Sequence, residues 1–327
     1  VGPRGGRLEV PGELAVLPRR ELDEMLTRHA IEAGATCWEH TRFERPLEDG
    51  EGRVCGAVLQ RGGQTVHVHA DWVILATGAV PKALMAAGMC ERHTPSGVGL
   101  RGYVHAPGLT GQIRGLEVVW ADAVRPGYGW IFPVGDGTIN IGVGLLSTFR
   151  DFKSVNTTHL LDAYAHMVAD DWGIDPDKPT QRATSGRIPM GGSVGPKVGP
   201  TYIVVGDAAG SVNPFNGEGI DYAYETARMA AQVLHQALTE NDPTLLQQYP
   251  HLLDEEYGDY FKVARLFARV IGRPVLMREL TRVGMHSRTL MEWVLRIMAN
   301  LLRPDEIGPA EAAYKAAAKI ARLAPNA

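Results

Sequence analysis

Between Tyr202 and Gly219 the chain reads YIVVGDAAGSVNPFNGEG, a run whose residue types share one chemical theme. A short β-branched strand, Tyr202 to Val205, runs into Gly206-Asp207, then a small-residue turn, then Asn213-Pro214. Gly217 and Gly219 follow and open a helix from about Gly219 to Leu238. A strand, a turn and a glycine-rich helix start present backbone N–H groups and the positive end of a helix dipole to an electron-rich ligand. Asp207, at the carboxyl end of the strand, is placed to accept hydrogen bonds from sugar or ribityl hydroxyls, as acidic residues do in dinucleotide sites. Turn geometry alone accounts for one or two of these glycines. The order strand, GD, NP, GEG, helix makes a ligand site the better reading.

A second cluster is Pro126-Gly-Tyr128-Gly-Trp130-Ile-Phe132-Pro133, followed by Asn140-Ile-Gly142-Val-Gly144. Alternate residues of a strand share a face, so Tyr128, Trp130 and Phe132 line up on one side. Such a row either fills a sheet core or forms an apolar wall. Proton transfer has no clear owner. Tyr128 and Glu218 are candidates only by their place beside the two motifs, and a water or the cofactor itself serves equally well. His29 and His105 lie on a helix stripe and in a strand, each without a catalytic partner in view. Metal-ligand spacings and Ser or Cys nucleophile motifs are absent.

These residues need elements to hold them. Arg19 to Ala33 reads as an amphipathic helix, with Leu22, Met25, Leu26, His29, Ala30 and Ala33 on one stripe and Gly34 as its C-cap. Val54–Leu59 and Thr65–Val68 flank Arg61-Gly62-Gly63, a hairpin signal. Trp72–Ala76 is a continuous apolar run, expected to be a strand buried on both faces, and it ends in Thr77-Gly78-Ala79. Val98–Ala106, Leu116–Trp120, Gly129–Pro133 and Thr138–Leu145 read as strands of a mostly antiparallel sheet. Asp162 to Trp172 reads as a short helix, and Gly186–Pro189 as a short extended segment before Gly191-Gly192. Leu245–Ile271, Val275–Leu302 and Pro309–Leu323 carry helical apolar stripes.

Composition narrows the class. The chain has 327 residues, 45% hydrophobic and 21% charged, ordinary for a globular protein with a large core. A net charge of −4 without Lys/Arg runs argues against nucleic-acid binding. Cys37, Cys55 and Cys90 form no CxxC or metal spacing and are expected to be buried, reduced residues of a cytosolic protein. No apolar stretch approaches the roughly 18 residues that cross a bilayer, and no secretory signal opens the sequence. Lys262, Arg265, Arg269, Arg273, Arg278, Arg282, Arg288, Arg296 and Arg303 face only Glu279 and Glu292. With Val270, Ile271, Val275, Leu276 and Met277 alongside, this run is either a solvated helix face or a membrane-surface contact.

The Tyr202–Gly219 run closely resembles the second flavin-contacting motif of FAD-dependent oxidoreductases with the p-hydroxybenzoate hydroxylase fold. Arg19-x-x-Leu22-Asp23-x-x-Leu26 is similar to their R-x-x-[FL]-D-x-x-L helix, and Ala76-Thr77-Gly78-Ala79 to their A-[TD]-G-A strand end. The Tyr128–Gly144 segment resembles the (Y/F)xWxFP…GxG signature of the geranylgeranyl reductase family, closest within it to the menaquinone-tail reductases of actinobacteria. The likeness runs from Leu17 to about Leu302 and is strong at 126–144 and 189–224. It implies an α/β (α+β) fold, a Rossmann-like FAD-binding domain with an inserted, mostly antiparallel substrate sheet and a helical C-terminal region. It divides the chain at 1–96 (partial FAD-binding domain), 97–190 (substrate sheet), 191–240 (return of the FAD domain) and 241–327 (helices).

By the same resemblance Asp207 binds the FAD ribityl chain, and the Gly217–Ile220 backbone faces the flavin pyrimidine edge. Arg19, Gly78, Gly206, Pro214, Gly217, Gly219 and Ile220 complete the cofactor set. Tyr128, Trp130, Phe132 and Pro133 form the substrate wall, which suits an isoprenoid tail recognised by apolar burial and dispersion. The implied reaction saturates an isoprene double bond of a prenyl lipid by hydride transfer from reduced flavin, with NADPH or ferredoxin as electron donor. An isolated alkene is a weak electrophile, so positioning and water exclusion must do most of the catalysis. The implied location is cytoplasmic, peripheral on the inner face of the cell membrane.

The strand–GxGxxG–helix unit that opens such folds does not occur in this sequence. The expectation is therefore a chain that continues upstream and, by itself, a poor FAD binder. The rivals are an FAD monooxygenase or halogenase and a non-catalytic isoprenoid-binding protein. Thr77 stands where a hydroxylase more often has Asp, and Tyr128 and Phe132 replace the first Trp and the Ile of the halogenase W-x-W-x-I-P pattern.

Overall fold

The computed structural model describes residues 2, 6–9, 15–80, 82–93, 96–112, 114–149, 152–271, 279, 284, 286–302 and 308–323. Its contacts divide the chain into two units. One comprises Val1–Thr41, Gly99–Leu145 and Lys153–Ser185; the other comprises Arg42–Val98, Leu146–Phe152 and Gly186–Ala327.

The first unit is a sheet backed by a helix. Its strands are β6 (Ser96–His105), β7 (Glu117–Val119), β8 (Tyr128–Pro133), β9 (Thr138–Leu146) and β10 (Pro179–Pro189), in the order β10-β6-β9-β8-β7. β8 is antiparallel to both β7 and β9. α3 (Thr157–Trp172) covers one face, where Leu100, Val104, Ile131, Ile141 and Val143 pack with Tyr164, Val168 and Trp172. Burying each large apolar side chain contributes about 1.5–3 kcal/mol, so this face drives the unit's folding. α3 is longer than its apolar pattern predicts, because the Asn156 side chain accepts from Thr158 N and His159 N and starts it a turn earlier. The Gly186–Pro189 segment is the end of β10, whose exposed, polar positions hid the rest of the strand.

α1 (Arg19–Glu32) matches its predicted span, but no residue of it is buried. Its expected stripe is bare, and its exposed ion pairs Arg19–Asp23 and Arg28–Glu32 lie at helical spacing.

The second unit carries two small sheets, a parallel strand pair and the long helices. β1 (Thr41–Glu48), β2 (Val54–Arg61) and β3 (Gln64–His69) form one sheet, and Gly62 and Gly63 have the positive φ values of a tight hairpin turn. β4 (Val73–Leu75) pairs parallel with β12 (Tyr202–Val204). Leu75 is buried, but Ile74 is 49% exposed, which corrects the expectation of a strand covered on both faces. Among the described residues β4 has β12 as its only strand neighbour, so one side of Ile74 lacks cover. After α2 (Lys82–Ala86), β5 (Glu91–Arg92) pairs with β11 (Val194–Gly195).

α4 (Ile220–Glu240) and α5 (Gln248–Ile271) pack through Tyr222, Val233, Tyr249, Leu253, Tyr257 and Phe261. α6 (Arg288–Met298) and α7 (Pro309–Leu323) complete the helices. Part of the expected 275–302 helix lies outside the described residues. Among the described residues no helix is long and apolar enough to cross a membrane. The cysteines are free, but only Cys90 is buried; Cys37 is exposed, against expectation, beyond the end of α1.

Gly129 shows how tightly the first core closes. A Cβ there would come within 2.6 Å of the Tyr164 ring. Gly129→Ala should lower unfolding free energy by about 1–3 kcal/mol through overpacking, read from urea melts, whereas Gly108→Ala, in open space, should not.

Candidate functional site

Parallel pairing sets the crevice. Val73, Ile74 and Leu75 lie opposite Tyr202, Ile203 and Val204, so both strands end at the same level. Thr77-Gly78 leaves one carboxyl end and Gly206-Asp207 the other, the place where open α/β sheets bind ligands. Gly78 and Gly206 have φ of 70° and 61°, a conformation costly for any residue with a Cβ. A Cβ on Gly206 would meet the Ala223 Cβ at 3.3 Å, so the turn rests directly on the first turn of α4. Gly206 N–H also donates to Thr226 Oγ1, 3.2 Å away on the same helix.

A Cβ on Gly219 would lie 3.0 Å from Asp207 Oδ1, so the carboxylate sits over bare backbone at the helix start. Thr77 Oγ1 is buried without a hydrogen-bond partner at the mouth of this crevice. An acid, an unsatisfied hydroxyl and a backbone cradle that a side chain would fill suit a hydroxyl-rich, electron-rich cofactor. The structure thus gathers Gly78, Gly206, Asp207, Pro214, Gly217, Gly219 and Ile220 within one unit. Arg19 belongs to the other unit, where its guanidinium holds Asp23 at 2.8 Å on an exposed helix face.

Several supporting residues escaped sequence reading. Asn213 is fully buried; its amide donates to Tyr260 Oη at 3.0 Å and Met298 O at 2.9 Å, while Oδ1 accepts from Phe215 N. Its backbone accepts from Gly217 N and donates to Glu218 O, so one residue shapes the whole 213–218 loop. Lys197 donates to Gly192 O, Val194 O and Ala209 O, clasping the chain on both sides of β12. Burial, with Arg265 nearby, pushes its ammonium down to about 8. Arg265 donates to Gly191 O beside a cavity of about 220 Å³, also lined by Lys197, Leu253, Tyr257 and Phe261.

Arg265, read from the sequence as part of either a solvated helix face or a membrane-surface contact, instead faces inward. So does Arg296, which pairs with the buried Glu311 at 2.9 Å. Arg288 is paired with Glu292. Arg273, Arg278, Arg282, Arg303 and the apolar residues from Val270 to Met277 lie outside the described side chains.

The aromatic row does not fill the core. Gly129 and Ile131 point toward α3, and Tyr128, Trp130 and Phe132 alternate to the partly exposed face. Tyr128–Trp130 and Trp130–Phe132 centroids are 5.9 and 6.3 Å apart, and Trp120, missed in the sequence, adds a fourth ring 6.2 Å from Tyr128. Pro133 shares the parity of Ile131 and ends the strand on the other face.

Gly142 and Gly144 explain the spacing of the GxG pair. A Cβ on Gly142 would lie 2.1 Å from the Trp130 indole, and one on Gly144 3.3 Å from Tyr128. The rings therefore lean over bare β9 backbone, and Trp130 Nε1 donates to Asn140 Oδ1 at 3.0 Å. Burial pushes the Tyr128 hydroxyl up to about 12, away from the range of an effective proton donor at neutral pH. Burial, helped by the charges of Asp221 and Glu225, pushes the Glu218 carboxyl up toward that range, although its Oε1 accepts from Asp221 N at 3.1 Å. No metal-binding cluster occurs among the described residues.

No family model matches the chain. It is 34% identical over 305 residues to menaquinone reductase of Mycolicibacterium smegmatis, covering 90% of this chain and 71% of that protein. The menaquinone reductase of Mycobacterium tuberculosis is 34% identical over 333 residues, covering 98% and 78%. Digeranylgeranylglycerophospholipid reductase 2 of Methanopyrus kandleri is 33% identical over 271 residues, covering 80% and 66%. Among solved structures, a geranylgeranyl bacteriochlorophyll reductase-like protein from Thermoplasma acidophilum has a TM-score of 0.71 at 21% identity, covering 91% of this chain and 75% of that one. A flavin-dependent brominase has a TM-score of 0.65 at 18% identity, covering 94% and 76%. Likeness at this level is one of fold.

Lys197 gives the site a pH signature. Its folded pKa, about 8, lies below the ordinary lysine value of 10.5. Between those values the unfolded chain holds the extra proton, so stability should rise with pH across that window. Urea melts should show this rise, and Lys197→Met should remove it. An equal slope in both proteins would mean that the ammonium titrates like an exposed one.

Proposed function

Because the chain belongs to the geranylgeranyl reductase family, we propose that it is an FAD-dependent reductase that saturates isoprenoid double bonds of a prenyl lipid. The carrying observation is the four-ring face beside β9 glycines, in the same chain as a glycine–aspartate crevice at paired parallel strand ends. The menaquinone and digeranylgeranylglycerophospholipid reductases among its relatives support a prenyl substrate. FAD supplies, when bound, the hydride equivalent that an alkene cannot obtain from side chains.

The proposed holders are Gly78, Gly206, Asp207, Pro214, Gly217, Gly219 and Ile220. Asp207 accepts from the sugar-alcohol chain, and the start of α4 favours negative charge on the pyrimidine edge. Trp120, Tyr128, Trp130 and Phe132 bind the tail and exclude water from it. Of the two proton-holding candidates, the upward shift of Glu218 favours it over Tyr128. Electrons are proposed to come from NADPH or a ferredoxin. Exposed Arg269 and partly exposed Lys262 support a peripheral contact with the inner face of the cell membrane.

Anaerobic incubation with FAD, reductant and a polyprenyl quinone should add two hydrogens to the tail, read by mass spectrometry. An oxygenated or halogenated product instead would overturn the reductase reading. Trp130→Ala should lower kcat/KM by about 30-fold or more, the loss typical of a buried aromatic anchor. Asp207→Ala should weaken FAD binding about 10–100-fold, read by flavin fluorescence, by removing a charged acceptor.

A further inference from the structure

A row of identical isoprene units poses a register problem. An apolar wall binds every unit equally well, so dispersion alone cannot decide which double bond is reduced. A fixed polar point is needed, and β6 carries one onto the aromatic face.

Leu100 and Val104 point into the core against α3, so Arg101 and Tyr103 alternate to the side of Tyr128, Trp130 and Phe132. Ser147 N donates to Ser96 O and Ala106 N donates to Gly137 O, each at 2.7 Å. These two bonds fix an antiparallel register that sets Arg101 opposite Gly142 and Tyr103 opposite Asn140. Gly142 is in turn paired with Trp130, and Asn140 with Phe132. The cross-strand row thus reads Arg101, Gly142, Trp130, with no side chain on its central member.

The Arg101 guanidinium lies 5.3 Å from the centroid of the Tyr103 ring. Stacking occupies its flat face and leaves the N–H fork at its edge available. Arg101 makes no side-chain hydrogen bond or ion pair among the described residues, and β6, β8 and β9 contain no Asp or Glu. A half-buried cation without an acceptor, level with the middle of an aromatic row, calls for an oxygen from a ligand.

We propose that Arg101 anchors the substrate's head group, donating to a quinone carbonyl or a lipid phosphate oxygen, and so sets which isoprene unit lies along the Tyr128–Phe132 row. This rests on the prenyl-lipid reading above and adds the determinant of position to it.

The test compares wild type with Arg101→Ala, Arg101→Gln and Arg101→Lys. Substrates are a fully unsaturated menaquinone, a digeranylgeranyl phospholipid and squalene, which has no head group, each with FAD and dithionite. Arg101→Ala should raise KM about 10–100-fold for the headed substrate that is used, with kcat little changed. Tandem mass spectrometry should then find reduction spread over several units, squalene kinetics should be unaffected, and Arg101→Lys should recover part of the selectivity. Dependence confined to menaquinone identifies the carbonyl as the acceptor, and dependence confined to the phospholipid identifies the phosphate.

Reduction of the same single unit at wild-type KM by both Arg101→Ala and Arg101→Gln overturns the anchor while leaving the reductase reading intact. So does an equal loss on squalene, which marks a structural role. A wild-type protein that reduces none of the three overturns the prenyl-lipid reading and the anchor with it.

Discussion

Three parallel residue pairs, Val73 with Tyr202, Ile74 with Ile203 and Leu75 with Val204, are what the crevice side of the molecule depends on. They join segments far apart in sequence and bring the two strands to one common end. Without that pairing Gly78 and Asp207 are unrelated turn residues. With it, a backbone turn, a carboxylate and a helix start converge on one ligand. The pairing is reinforced at both ends, where Val73 N donates to Thr201 O and Val205 N to Leu75 O. Lys197 then ties Val194 and Ala209 together on either side of β12, so the turn holding Asp207 is fixed from beneath.

The five-stranded sheet meets a different demand, because one side must fold the protein while the other stays partly open. Strand alternation resolves this. Ile131, Ile141 and Val143 go to the α3 side, where burial drives folding, and the aromatic residues go to the other. The β9 glycines let those rings lie over the sheet instead of standing up from it, which yields a broad hydrocarbon-like surface without consuming the core.

Much of this was legible in residue types. The glycine–aspartate turn, the aromatic alternation, the Gly62-Gly63 hairpin, the glycine-rich start of α4 and the α5 stripe each declare themselves within a few neighbouring positions. What stayed hidden depends on distant partners. Asn213 reads as a turn residue until Tyr260 and Met298, on later segments, close around its amide. Lys197 reads as a surface lysine until three carbonyls surround it. β1 and β10 escaped because neither TRFERPLE nor PTQRATSGRIP shows a clean apolar alternation, and β10 lies largely exposed. Arg265 and Arg296 were counted with a solvated or membrane-facing basic run because helical spacing alone does not reveal which arginine has an inward acceptor.

The Asn213 amide also has a thermodynamic meaning. Because it donates to both Tyr260 Oη on α5 and the carbonyl of Met298 at the end of α6, the loop before α4 cannot open without parting a buried amide donor from its acceptors on two other helices. Loop and C-terminal helices therefore form one cooperative block, whose backbone amides exchange with solvent together. The crevice floor gains the rigidity of the most helical part of the chain while retaining the glycine backbone that a bound ring system needs at close range.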